Sequence, residues 1–208
     1  MTERREIHER VLNAKNSKEL SDVYGEWAES YDSDLVTEMG YVAHSLCADL
    51  LSKNVNAKDS LILDAGCGTG LVGQELSQKG FQAIDGLDYS EDMLQQAAKK
   101  NVYQSLNQGD LNGKLDIPDN TYQAVICVGT LTLGHVGPNA LKELARITKP
   151  EGIICFSVRE QAWDQDDYES DLGAMVNSGM WQCKKQFESD YIQQEGSKCM
   201  ICLYQVSN

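Results

Sequence analysis

Residues 61–70 read LILDAGCGTG, an apolar run closed by an acid and then by glycines at alternate positions, Gly66, Gly68 and Gly70. A glycine inside regular structure costs roughly 0.5–1 kcal/mol relative to alanine, so three in one short stretch need a reason. The reason read here is a buried strand that ends in a sharp backbone turn, with room for something to come close to the main chain. The helical pattern LVGQELSQK follows at once. That order puts the turn at the carboxyl edge of a sheet, where open α/β folds bind their ligands.

Working outward, four more β-like runs alternate with helical patterns. They are FQAIDGLD (81–88), the weaker VYQSL (102–106), YQAVICV (122–128) and GIICFSV (152–158). Between them, SEDMLQQAAKK carries Glu91 and Asp92 in its first turn and Lys99 and Lys100 at its end, as the helix dipole favours. Pro138 fits the first turn of PNALKELARITK. Strands apolar on both faces predict a mostly parallel sheet covered on both sides. After a helix at about 168–179, MWQCKKQFE and KCMICLYQV predict a terminal antiparallel hairpin.

Ahead of this lie helical patterns over residues 2–50. Ile7, Val11 and Leu12 share one face, and Val36, Met39, Val42, Ala43, Leu46 and Leu50 form a longer stripe. The expected fold is α/β: a Rossmann-like, doubly wound, seven-stranded, mostly parallel sheet with a C-terminal antiparallel hairpin and appended N-terminal helices. One domain is expected over residues 1–208, with 1–50 as a cap or lid and 60–208 as the core.

Composition works mainly by exclusion. The chain has 208 residues and a formal charge of −14, without the clustered lysine and arginine that a nucleic-acid backbone requires. EQAWDQDDYESD (160–171) holds six acids and no base. It reads either as a solvated loop and helix start or as a rim that attracts a cationic acceptor. No apolar run reaches the roughly 20 residues of a membrane helix, and MTERREIHERVLNAKN lacks the apolar stretch of a secretory signal. A cytoplasmic or similarly reducing location is expected. Cys127 and Cys155 lie in apolar runs as small buried hydrophobes. Cys199 and Cys202 form a CxxC, but a strand puts residues three apart on opposite faces, and no second pair completes a zinc set. No metal is expected.

The glycine spacing separates two ligands. A dinucleotide fingerprint is G-x-G-x-x-G; here the third glycine falls one residue early and Leu71 stands in its place. D-x-G-x-G-x-G after strand one instead resembles motif I of the class I S-adenosylmethionine (SAM)-dependent methyltransferases. GLDYS, SEDMLQQA, GDL, LDIPDNTYQAVICVGTL and ITKPEGIICFS resemble further segments of that family, in the same order. Glu151 departs from the family's glycine and is expected to change the type of that turn. More narrowly, VYGEWAESYDSD, CGTGLVGQEL, VGTLTLGHV and ITKPEGIICFSVRE are similar to the Williams-Beuren-region methyltransferase-like family.

The resemblance implies SAM as cofactor and S-adenosylhomocysteine (SAH) as product. It implies that Asp88 accepts from the ribose hydroxyls, that Asp110 meets the adenine amino group and that Asp64 helps orient the methionyl amine. It places Gly66, Cys67, Gly68, Gly70, Tyr89, Met93, Leu111 and Val128 in the same cofactor site. Independently of the family, Asp88 lies eighteen residues past Gly70, the distance at which a second strand returns to the same edge, while Ser90 suits helix capping better. Cys67 reads as a packing residue whose backbone matters more than its thiol. Tyr24, Trp27 and Tyr31 share a helical face, read either as core packing or as a lid over the cofactor's cationic sulfur.

The expected function is methyl transfer from SAM to a small-molecule acceptor by direct in-line displacement. The protein's part is then to align and desolvate the acceptor and to remove its proton if it has one. His135, on the ligand edge after strand four, is the candidate base, its ordinary pKa near 6.5 suiting that task. Thr130 and Arg159 join it as candidate acceptor contacts. Another reading is a non-catalytic SAM-binding or partner-binding protein that retains the fold. A nicotinamide oxidoreductase conflicts with the glycine spacing. Neither nucleic acid nor membrane is an expected partner; the oligomeric state is open and compatible with a monomer.

Overall fold

The computed structural model describes Ile7, Arg10, Val23, Glu26, Trp27 and residues 30–208. A seven-stranded sheet has the order β3-β2-β1-β4-β5-β7-β6. Its strands are β1 (Ile62–Ala65), β2 (Ile84–Asp88), β3 (Ser105–Gln108), β4 (Tyr122–Leu131), β5 (Thr148–Arg159), β6 (Trp181–Ile192) and β7 (Ser197–Val206). The first five run parallel, β7 pairs antiparallel with β5, and β6 pairs antiparallel with β7. The expected mixed Rossmann-like sheet is what forms. Strand order reverses between β1 and β4, which opens a crevice at their carboxyl ends.

Alternation along each strand feeds two cores. Ile62, Ile84, Ile126 and Cys155 face α1 (Ala43–Ser52) and α2 (Leu71–Gln78), where Cys47, Leu51, Val72 and Leu76 are buried. Leu63, Val125, Ile154 and Phe156 face the other side, with Leu141 and Leu144 of α4 (Ala140–Ile147) and Tyr168 and Leu172 of α6 (Tyr168–Asn177). Helix α3 (Glu91–Lys99) lies beside β2 and β3, its N-terminus capped by Ser90, whose hydroxyl accepts from Met93 N. Cys199 packs in the first core and Cys202 in the second, so the CxxC thiols lie on opposite sheet faces.

Several expectations change in detail. The stripe from Val36 to Leu50 is not one helix. A π-helical turn (Ser33–Glu38) ends at Gly40, whose φ of +71° breaks the pattern, and Tyr41 then bridges to Ile192 before α1 begins. The third strand starts at Ser105 rather than Val102, because residues 105–108 pair with Asp85–Asp88. Glu151 takes the left-handed backbone, with φ of +62°, and its Oε2 accepts from Gln205 Nε2 at 3.0 Å. The acidic stretch forms α5 (Glu160–Gln165) and the start of α6, with Ala162, Tyr168 and Leu172 buried and most of the acids toward solvent.

Candidate functional site

The glycine turn folds back across the end of β2. Gly66 N and Cys67 N both donate to Leu87 O, at 2.7 and 3.0 Å, and Gly70 N closes the turn on Cys67 O at 2.9 Å. Gly66 has φ of +74°, and a Cβ there would lie 2.1 Å from Thr130 Oγ1, so β4 packs directly against the turn. Gly68 differs: a Cβ added to it meets nothing within 4 Å among the described residues. Gly70, with φ of +90°, caps the start of α2.

The turn lines an open cleft of about 1090 Å³, including its solvent-facing mouth. Most of its lining comes from a strand's carboxyl end or the segment after it, Gly66–Thr69, Asp88–Ser90, Gly109–Asn112, Val128–Thr130 and Gly134–Val136, and the rest from Tyr31, Tyr41 and His44 ahead of the sheet. Asp88 stands where the turn meets β2. Its Oδ2 accepts from Gly68 N at 2.8 Å and its Oδ1 from Ser90 N at 2.9 Å. Burial raises its carboxyl pKa, opposed by these backbone amides. Each oxygen keeps acceptor capacity for a further hydroxyl. Tyr89 is 44% exposed beside it, Met93 and Leu111 give apolar wall, and Asp110 Oδ1 accepts from Asn112 N at 2.8 Å.

The rest of the lining is aromatic and polar. Tyr41 stacks on His44, centroids 5.0 Å apart, and meets Tyr191 edge-on at 5.0 Å. Burial holds the His44 pKa below its ordinary value, so this imidazole is neutral. Gly129 keeps the two tyrosines near the backbone, since a Cβ there would meet Tyr41 Oη at 2.9 Å. His135 Nδ1 lies 2.7 Å from Thr132 Oγ1, and Asn112 Nδ2 donates to His135 O at 3.0 Å. The imidazole is thus held from its own loop, and the His135 backbone from the loop after β3.

Two residues expected in the site stand behind its walls. Asp64 is fully buried beneath the turn, its Oδ2 accepting from Tyr103 Oη at 2.7 Å. Arg159 is buried behind Tyr191, its guanidinium 5.5 Å from that ring's centroid and paired with Glu195 at 3.5 Å. Among the N-terminal aromatics, Tyr31 lines the cleft. Trp27 turns into the core, 2% exposed, with its Nε1 donating to Asp34 Oδ2 at 2.9 Å. Tyr24 lies outside the described residues. Next to Tyr31, the Asp32 carboxylate accepts from both Thr69 Oγ1 and Lys100 Nζ, tying this segment to the turn and to the end of α3.

Sequence reasoning missed Asp32, Tyr41, His44, Tyr103, Asn112 and Gly129. Tyr41 and His44 were hidden in an apparent helical stripe, although the glycine at Gly40 was a signal of a break. Nothing in the local pattern marks Asn112 or Tyr103.

Residues 62–152 match the family described as "Methyltransferase domain". Human methyltransferase-like protein 27 is 36% identical over 186 residues, covering 85% of this chain and 75% of that protein. The chain belongs to the methyltransferase-like protein 27 family. A malonyl-[acyl-carrier protein] O-methyltransferase of Buchnera aphidicola is 32% identical over 142 residues, spanning 68% of this chain and 55% of the relative. In fold, the methyltransferase is similar to a putative SAM-dependent methyltransferase from Methanococcus maripaludis, with TM-score 0.66 at 14% identity over 90% of this chain and 94% of that one.

The chain is accordingly a SAM-dependent methyltransferase, and the cleft has the chemistry its cofactor needs. Carboxylate oxygens suit a ribose diol, and a main-chain turn open at Gly68 admits a close ligand. No helix among the described residues is long and apolar enough to cross a membrane.

Proposed function

We propose that this methyltransferase acts on a small molecule held between Tyr41, Gly129, Thr130 and His135, by direct in-line displacement. One observation carries the reading: a single cleft is lined both by Asp88 and Asp110 and by Thr130 and His135. Bound SAM supplies an electrophilic methyl group on a sulfonium.

The chain's residues divide the remaining work. Asp88 accepts from the ribose hydroxyls, Asp110 from the adenine amino group, and Tyr89, Met93 and Leu111 enclose the base. The turn from Gly66 to Gly70 receives the aminoacyl end through its backbone, with Asp64 supplying negative charge below. Val128 and Tyr31 close the middle of the cleft, and Tyr31 with Asp32 brings the N-terminal segment over it as a cap. Tyr41 and neutral His44 give the acceptor a flat, dry wall, which favours an uncharged planar portion. His135, oriented by Thr132, takes the acceptor's proton at a ring nitrogen. Arg159 acts from behind, fixing Tyr191 rather than touching the acceptor. Six buried free cysteines support work in a reducing compartment such as the cytoplasm.

Radiolabelled SAM, incubated with the protein and extract separated into small-molecule and macromolecular fractions, tests the acceptor class. Label appearing in the small-molecule fraction, and lost in His135→Ala, supports the reading. Label confined to macromolecules refutes the small acceptor, and no transfer with SAH still binding favours a protein that keeps the fold without the chemistry.

A further inference from the structure

Tyr103 belongs to none of the motifs that mark the cofactor site, yet the site is built around it. It lies in the loop before β3, partly buried, with its ring against the turn. A Cβ on Gly73 would lie 2.3 Å from Tyr103 Cζ and Oη, and one on Gly70 would lie 3.0 Å from Tyr103 Cε2. On the neighbouring strand, a Cβ on Gly86 would meet Leu106 Cδ2 at 2.6 Å and Cys67 Sγ at 3.1 Å before Tyr103 Cδ1 at 3.2 Å. Gly73 above all, with Gly70, leaves room for the phenol. The hydroxyl donates to Asp64 Oδ2 at 2.7 Å, and Asp64 Oδ1 is buried without a hydrogen-bond partner among the described residues.

We infer that Tyr103 is the positioning residue of the cofactor site: its ring sets the turn, and its hydroxyl holds the Asp64 carboxyl in place beneath the part of the turn that receives the aminoacyl end of SAM. This rests on the proposed reading of the cleft and deepens it.

The electrostatics around Asp64 agree with that geometry. Burial pushes its carboxyl up to about 7, the Asp88 charge adds to the rise, and the Tyr103 hydrogen bond opposes it. The Gly73 backbone amide also favours the anion. The other titratable groups facing it are thiols, Cys67 pushed well up and Cys127 to about 12, both mainly by burial, so they stay neutral. Tyr103 is itself pushed far up by burial and remains a donor at any physiological pH. Removing the hydroxyl leaves the ring in place and makes the carboxylate harder to ionise. The loss should then be felt by a ligand's ammonium group and not by its nucleoside.

Two ligands separate these cases. SAH carries the amino-acid portion, and 5′-methylthioadenosine has the same nucleoside and sulfur without it. At pH 8, Tyr103→Phe should weaken SAH by about tenfold, the size of one hydrogen bond to a charged group, and leave methylthioadenosine unchanged. Asp64→Asn should show the same selective loss, and the double variant should lose no more than either single one, because both changes remove one interaction. Unchanged SAH affinity in Tyr103→Phe, equal losses for both ligands, or additive losses in the double variant would each overturn the inference. Wild-type protein that binds neither ligand would instead refute the reading of the cleft on which it rests.

Discussion

Asp64→Asn should make the ligand-free protein more stable, and by an amount that grows with pH. Asp64 is fully buried, and its carboxyl is pushed from the usual 3.8 to about 7, chiefly by burial. The folded state then keeps a proton that the unfolded chain has lost between about pH 4 and pH 7. Stability therefore falls as pH rises through that window, which is the reverse of a salt-bridged carboxylate. The rise of roughly three pK units, at about 1.4 kcal/mol each, sets a full penalty of about 4 kcal/mol above pH 7. At pH 5 less than half of it is felt, so the advantage of the variant should grow by about 2–3 kcal/mol between pH 5 and pH 8. Asparagine keeps the shape and an acceptor for Tyr103 Oη, which limits repacking costs. Urea unfolding of both proteins at the two pH values measures the difference. An advantage that is absent, or equal at pH 5 and pH 8, would refute the reasoning, since it would mean that Asp64 is not buried or is ionised without cost.

Gly66→Ala should destabilise by about 3 kcal/mol in urea unfolding, because it adds left-handed strain to a collision with Thr130, 2.1 Å from the new Cβ to Oγ1. Combining it with Thr130→Gly should recover the collision part and not the strain. Glu151→Gly should raise stability by about 1 kcal/mol, or about 2–4 °C in melting temperature, since the position already has φ of +62°. Asp32→Asn should leave stability within about 1 kcal/mol, as its side chain is partly exposed, while weakening SAH several-fold by releasing Thr69 and Lys100. Unchanged SAH affinity in calorimetry would show that this segment does not close over the cofactor.

Much of this was legible in order and pattern. The run from Leu61 to Gly70, the acid within GLDYS and the doubly apolar strands specify β1, its turn and β2 through local preferences alone. What escaped depends on contacts between distant segments. Tyr41 leaves the helical stripe because it bridges to Ile192, 151 residues away along the chain. Trp27 faces inward because Asp34 accepts its indole N–H. The start of β3 follows from its register against β2, since its own sequence, SLNQ, has little apolar signal. Tyr103 packs against Gly70 and Gly73 from another segment, a contact that its own stretch of sequence does not announce.

The most direct test is a calorimetric titration of the wild-type protein and Asp88→Ala with SAM and SAH, using NADH as control. The account predicts saturable binding of SAM and SAH by the wild type, none of NADH, and loss of both ligands in the variant. Binding of NADH alone, or SAH binding that survives loss of the Asp88 carboxylate, would contradict it.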